Sequence, residues 1–434
     1  MSQYSRELNV ALRAVHLASL LTKQHLLTYQ STTKRVDEST KADASEVTVA
    51  DFAAQAILIS IIHNVFPEDC FIAEESSDML RTDEGLLERV WELVLTASEL
   101  LKTSEASWAE DSVDVKLSSS KEEMVSIIDL GQAGGDGKPS ASNKRTWILD
   151  PIDGTKTYIR GQQYAVCLCL IDEGEQRIGV LGCPNLNIDQ RSEKGRVMIA
   201  ETIVDLKPDG GWILSTVKGD GTYLSQMNTP VVRQKLEDVV GTIDVAQMQP
   251  VNTTETHPDV TLGFTDSSAS PHVSKDLHNR IFAHFAPSGS SKSNTRQVSS
   301  PAVPEGSPSL ALDIWSQQLK YVLLTLRAEG ADAMVRTPPY STYHAAVWDH
   351  AGGQLLLTES GGALTDARGE AFRVDGTMRK LELNWGICAV RGGTHVGRSG
   401  ETLDIKAVHN VLFAKVNEEV DNRRKARLEK GEKD

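Results

Sequence analysis

The stretch Thr146-Trp-Ile-Leu149, followed directly by Asp150-Pro-Ile-Asp-Gly-Thr155, reads as a short apolar strand running into a rigid acidic turn. Asp150 and Asp153 stand three residues apart across that turn. Pro151 restricts the backbone and Gly154 permits an unusual dihedral, so both carboxylates can converge on one point. Carboxylates that face each other repel unless a hard cation lies between them, and oxygen-only ligands suit Mg²⁺. Taken alone, the stretch also reads, as the lesser alternative, as a surface turn with a capping Asp.

Upstream, the apolar spacing predicts a helix from Tyr4 to Tyr29 and a second from Phe52 to Phe66, entered through Thr48-Val-Ala-Asp51 and ended by Pro67. Phe71-Ile-Ala73 is a short strand that delivers Glu74-Glu75. Glu84 to Leu101 reads as a helix. Lys102 to Arg145 is polar and includes Gly134-Gly-Asp-Gly137, which indicates a surface loop in part. Downstream, strands are expected at Ala165–Ile171 and Ile178–Gly182, with a hairpin around Lys218-Gly-Asp-Gly221. Ala286 to Ser309, rich in Ser, Pro and Gly, reads as a disordered insertion. Leu310 to Ala328 and Trp348 to Glu359 read as helices, the second closed by Gly361-Gly362. Val416 to Asp434 is a charged helical tail whose default is a solvated face. Alternating helices and strands favour a layered α/β architecture.

The chain has 434 residues, 40 % of them hydrophobic and 24 % charged, an ordinary composition for a chain that buries a large core. Its formal net charge of −15 argues against non-specific binding to nucleic acid or to a membrane surface. No apolar run is long enough to span a bilayer, and the N-terminus lacks a signal-peptide core, so a cytoplasmic protein is expected. The five cysteines are few and mostly sit in apolar runs, which suits buried, reduced thiols.

Two further segments bear on the acidic turn. Glu74-Glu75 follows a strand, and Asp349 lies in Trp348-Asp-His-Ala-Gly-Gly353. Singly, a Glu pair is usually solvated and a Trp-Asp is usually a helix cap. In this order, with Asp51 ahead of them, they resemble the inositol monophosphatase superfamily of metal-dependent, lithium-sensitive phosphatases. Asp153-Gly-Thr-Lys156, Arg160-Gly-Gln-Gln-Tyr-Ala-Val166, Gly182-Cys-Pro-Asn-Leu186, Lys320-Tyr321 and Ala331-Asp-Ala-Met-Val-Arg336 are most similar to the 3′(2′),5′-bisphosphate nucleotidases of fungi and plants.

The resemblance implies an α/β fold, a layered α/β/α/β/α sandwich. An N-terminal α+β domain over residues 1–195 would carry most metal ligands, and an α/β domain over 196–415 the nucleotide contacts, ahead of the 416–434 tail. Glu74, Asp150, Asp153, Asp349 and the main-chain oxygen of Ile152 would hold two or three Mg²⁺ ions, Asp51 assisting with a further metal and with deprotonation of water. Thr155 with Glu74 would orient the attacking water. Gly154, Thr155, His272, Gln317, Lys320, Arg336 and Asp349 would contact the substrate, Lys320 and Arg336 through its retained 5′-phosphate. On its own, Lys320 also reads as ordinary surface charge; Arg336 does so less, set between apolar residues and two prolines.

Three departures bear on specificity. Glu46 stands where the family often has Pro, Gln317 where it commonly has Ser, and Lys156-Thr-Tyr158 where Lys-Gly-Phe is usual. Gly352 replaces the usual Ala, a change expected to affect helix propensity. The activity implied is hydrolysis of the 3′-phosphate of adenosine 3′,5′-bisphosphate, and of 3′-phosphoadenylyl sulfate, by a lithium-sensitive monomer. Its setting would be sulfate assimilation. Alternatives are an inositol polyphosphate 1-phosphatase and a non-catalytic paralogue that binds a nucleotide or a partner.

Overall fold

The computed structural model describes residues 3–31, 38–40, 46–104, 115–135, 145–228, 232–240, 259–267, 270–286, 311–340 and 342–430. The expected disordered insertion beyond Ala286, and two stretches of the 102–145 segment, 105–114 and 136–144, lie outside the described residues.

Five layers stack in the order helix, sheet, helix, sheet, helix. The outer layer holds the helices Ser5–Ser31, Val49–Val65, Glu84–Ser104 and Lys121–Leu130. Their apolar faces pack with one face of a seven-stranded sheet to form the largest core cluster. The strands Cys70–Ala73, Thr146–Asp153, Ala165–Asp172, Glu175–Cys183, Trp212–Val217, Thr222–Gln226 and Gln234–Lys235 lie side by side in sequence order. The first pair is parallel and the rest antiparallel. Thr146–Asp153 is wholly buried, Ala165–Asp172 is buried up to its last residue, and Glu175–Cys183 is buried from Ile178 on, as strands covered by helices on both faces must be.

The middle layer consists of the helices Gln317–Thr325 and Ala351–Glu359, which pack under the large sheet. Beyond them lies a five-stranded sheet in the order Ala311–Asp313, Phe264–Asp266, Ala333–Arg336, Ile387–Val390, Ala363–Thr365. The helices Lys275–Phe285 and Ile405–Glu429 cover its far side. No described helix is long and apolar enough to cross a membrane. All five cysteines are unpaired; four are buried and Cys70 is half-buried.

Several elements differ from expectation. The helix at Val49 begins three residues early because Thr48 and Asp51 form a capping box, which places Asp51 inside the first turn. Lys121–Leu130 is a helix within the stretch read as polar loop. The helix expected over Leu310–Ala328 divides into the edge strand Ala311–Asp313 and a helix that starts only at Gln317, capped by the Ser316 hydroxyl at 3.0 Å. The tail helix extends from Ile405 to Glu429 and is not solvated all round, for Val408, Leu412, Val416 and Glu419 are buried.

One buried ion network ties the second sheet to its neighbours. Asp332 accepts from Arg391 Nε at 2.7 Å, Arg196 Nη2 at 3.2 Å and the Gly263 amide at 2.9 Å. Although burial opposes ionisation, these partners hold its carboxyl down at about 2. Its contribution to stability is therefore present above the ordinary carboxylate range and is lost as pH falls toward 2. Asp332→Ala strands the buried Arg391 and is expected to destabilise the fold by about 3 kcal/mol or more. Urea melts at neutral pH check this; an unchanged midpoint would contradict it.

Candidate active site

The acidic turn sits where the large sheet changes from parallel to antiparallel pairing. Residues three apart on a strand normally face opposite sides. Here the pairing slips: Asp150 lies opposite Cys167, but Asp153 lies opposite Ala165, so two residues on one strand face one on the other. That bulge returns Asp153 to the face of Asp150. Gly154 follows at φ 96°, and a Cβ there would meet Thr157 Oγ1 at 2.8 Å and Ser316 Cβ at 3.1 Å. Only glycine suits both the dihedral and the space.

Side-chain oxygens of Asp150, Asp153 and Asp349 lie within 4.8 Å of one another. Asp150 accepts from the Ile152 amide at 3.1 Å. Burial pushes its carboxyl well up, followed by repulsion from Glu74, Asp153, Asp349 and Asp51. Asp349 is pushed up to about 7, by burial first and then by Asp153, while Arg336 pulls the other way. Asp153 is also raised by burial. Its oxygens cap the helix Gln317–Thr325, accepting the Ser316 hydroxyl, the Gln318 amide at 2.6 Å and the Gln317 amide at 3.2 Å. A carboxylate at a helix N-terminus is favoured by the aligned peptide dipoles. This contact joins the first sheet to the central layer.

Asp51 enters from the second helix. Its Oδ2 takes the Thr48 amide at 2.9 Å and the Thr48 hydroxyl at 2.5 Å, and its Oδ1 faces the Thr155 hydroxyl at 3.4 Å. Thr155 also reaches the Ile152 carbonyl at 3.2 Å. Glu74 follows the strand Cys70–Ala73, and its charge acts on both Asp150 and Asp349. The turn beyond Glu74 is pinned by Gln55, which exchanges bonds of 2.9 and 2.7 Å with the Glu75 backbone. Gln318 does the same for the Asp349 turn, donating to the Trp348 carbonyl and accepting from Gly353, both at 2.7 Å. A Cβ at Gly352 would approach Leu181 Cδ1 at 2.8 Å, so this position concerns packing on the sheet as well as helix propensity.

The expected cations lie beside this cluster. Lys320 is buried, not a surface charge; its Nζ reaches the Trp315 and Ser316 carbonyls at 3.5 and 3.4 Å. Burial first and Arg336 second push its ammonium down to about 8, against the pull of Asp266, Asp153 and Glu201. Half-buried Arg336 donates to Gln317 Oε1 at 2.6 Å. Gln317 is thus engaged with the guanidinium, and its amide nitrogen contacts Met334 Sδ at 3.3 Å. His272 stacks on Tyr343 with ring centroids 4.8 Å apart, and its imidazole is pushed down by burial and then by Arg336. A small, partly enclosed cavity lies beside Arg336, lined also by Pro338, Tyr343, His350 and Ile387.

Sequence reasoning missed the supports. The run Ser316-Gln-Gln-Leu-Lys-Tyr321, read for Gln317 and Lys320, gives no sign of what Ser316 and Gln318 hold. Gln55 and Tyr343 carry no local motif. Neither does His278, which contacts Asp266 Oδ2 at 2.8 Å and accepts the Thr337 amide at 3.1 Å, just past Arg336.

A five-layer sandwich with an all-oxygen acidic cluster at a sheet junction and two cations beside it defines a class of phosphate-handling enzymes. The model of the inositol monophosphatase family matches residues 116–412. A 3′(2′),5′-bisphosphate nucleotidase of Schizosaccharomyces pombe is 32 % identical over 394 residues, 90 % of this chain and 93 % of that one. The 3′(2′),5′-bisphosphate nucleotidase 2 of Candida albicans is 34 % identical over 396 residues, 90 % and 94 % of the two chains. A 3′(2′),5′-bisphosphate nucleotidase of Emericella nidulans is 32 % identical over 390 residues, 89 % and 94 %. This chain belongs to the inositol monophosphatase family.

Proposed function

We propose that the chain is a phosphomonoesterase that removes the 3′-phosphate of adenosine 3′,5′-bisphosphate, releasing AMP and inorganic phosphate. 3′-Phosphoadenylyl sulfate is the related substrate, yielding adenylyl sulfate. The carrying observation is the oxygen cluster of Asp150, Asp153 and Asp349 with Lys320 and Arg336 held beside it. A substrate with two phosphates needs both features, one for the phosphate that is cleaved and one for the phosphate that stays. The relatives' names agree with that division.

The donor set fits Mg²⁺, since the clustered ligand atoms are carboxylate oxygens with no Cys or His among them. Asp150, Asp153, Asp349, Glu74 and the Ile152 carbonyl would hold two or three Mg²⁺ ions together with Asp51. Bound there, Mg²⁺ would offset charge on the phosphoryl oxygens and make water more acidic. Li⁺ would compete for the same oxygens and inhibit.

The chain's own groups supply the rest. Asp51 has one oxygen held by Thr48, which leaves the other directed at Thr155. Thr155 and Glu74 orient the attacking water, and Asp51 accepts its proton. Lys320 and Arg336 bind the 5′-phosphate, Arg336 with its fork steadied by Gln317. His272 and Tyr343 face the nucleoside. The free thiols suit a reducing, cytoplasmic setting.

The test compares adenosine 3′,5′-bisphosphate with inositol 1,4-bisphosphate at equal enzyme and Mg²⁺. Faster turnover of the nucleotide supports the reading, and preference for the inositol compound would overturn it. A pH profile probes Lys320 separately. With burial and Arg336 pushing its ammonium down to about 8, kcat/KM for the bisphosphate is expected to fall above that pH, by about tenfold per unit. Lys320→Arg should move the fall to higher pH. A profile that stays flat up to about pH 10 would remove Lys320 from that role.

A further inference from the structure

The C-terminal helix has a use that its charge alone conceals. Its inner stripe, Val408, Leu412 and Val416, packs into the core against the five-stranded sheet. Past Val416 the stripe continues through buried Glu419 and half-buried Val420, and then as Arg423 and Arg427. Glu419 accepts from Arg280 Nε at 2.7 Å and pairs with Lys415 Nζ at 2.8 Å. Arg423 and Arg427 are half-buried while Arg424, Lys425, Leu428 and Glu429 are exposed. Four-residue spacing puts the two arginines on one side of the helix.

That side meets the segment that leaves Arg336. Arg423 Nη1 donates to the Pro338 carbonyl at 3.2 Å, and Arg427 Nη1 to the Pro339 carbonyl at 3.3 Å. The guanidinium of Arg423 lies 5.8 Å from the Trp385 ring centroid and that of Arg427 5.7 Å from the Tyr340 ring. Trp385 Nε1 in turn donates to the Tyr340 carbonyl at 3.2 Å. The inner end of the segment is held by the helix Lys275–Phe285, through His278 to the Thr337 amide at 3.1 Å. Pro338 and Tyr343 line the small cavity beside Arg336, and Tyr343 stacks on His272.

We propose that Arg423 and Arg427 are positioning residues: the last two turns of the helix hold the wall formed by Pro338, Pro339, Tyr340 and Tyr343 in its substrate-binding arrangement. The inference rests on the nucleotidase reading. Neither arginine touches the acidic cluster, so the effect falls on binding of the nucleoside and its retained phosphate, not on the chemical step. Loss of both anchors frees the wall and lowers the fraction of molecules ready to bind.

The experiment uses the full chain, an Arg423→Ala/Arg427→Ala variant, an Arg423→Lys/Arg427→Lys variant, and a chain ended after Asn422. KM and kcat are measured for adenosine 3′,5′-bisphosphate, with Ki for AMP and for inorganic phosphate. We expect KM and the AMP Ki to rise about fivefold in the Ala variant and the shortened chain. kcat and the phosphate Ki should hold, and the Lys variant should recover part of the loss. Equal KM in all chains would overturn the proposal. So would a parallel loss of kcat, phosphate binding and melting temperature, which would make the tail merely structural. If the unaltered chain does not turn over the bisphosphate, the nucleotidase reading fails and takes the inference with it. Turnover by the unaltered chain with indifferent variants sinks the inference alone.

Discussion

Asp153→Asn is expected to lower kcat for the bisphosphate by about a thousandfold or more while the protein stays folded. The change removes one charge from a cluster whose oxygens lie within 4.8 Å of one another, and with it a ligand for the cation that makes such a cluster tolerable. The structural duty of Asp153 is partly kept: an Asn carbonyl in the Oδ2 position still accepts from the Gln318 amide, while its NH2 group then faces the Gln317 N–H and that bond is lost. It can also accept from Ser316. Thermal melts with and without Mg²⁺ separate the two effects. In the unaltered protein Mg²⁺ should raise the melting temperature, since it binds only the folded cluster, and in Asp153→Asn that rise should shrink. Activity within tenfold of the parent would contradict the assignment.

The second large effect is expected at Arg336. Arg336→Ala should raise KM for adenosine 3′,5′-bisphosphate by roughly a hundredfold, what the loss of a forked charge-assisted contact to phosphate brings. The Ki of inorganic phosphate should change little, because that ion binds at the acidic cluster. The substitution also releases Gln317, whose Oε1 receives the guanidinium at 2.6 Å. Arg336→Lys keeps a charge but not the fork and should fall between the two. Equal weakening of bisphosphate and inorganic phosphate would place Arg336 at the cleaved phosphate instead of the retained one.

How much of the molecule was legible in the sequence depends on how local each signal is. Asp150-Pro-Ile-Asp-Gly-Thr155 could be read because Pro and Gly restrict the backbone whatever surrounds them, and the bulge with Gly154 at positive φ bears that geometry out. The layered α/β order was readable from alternating periodicities. The helix expected from Leu310 was not, because Ala311–Asp313 is a three-residue strand whose apolar Leu312 falls in register with the helix Gln317–Thr325. Periodicity cannot divide runs that short. Ser316, Gln318 and His278 were invisible for another reason. Their roles depend on which segments meet in space, Gln318 with Trp348 and Gly353, His278 with Thr337. Arg423 and Arg427 looked like solvated charge because nothing in a charged helix reveals that two prolyl carbonyls lie against it.

The most direct test of the central claim is phosphate release from adenosine 3′,5′-bisphosphate by the purified chain, measured with Mg²⁺, with EDTA, and with Mg²⁺ plus Li⁺. The account predicts release that needs Mg²⁺, is suppressed by Li⁺, and is absent in Asp153→Asn. Release that persists in EDTA, or no release under any of these conditions, would contradict it.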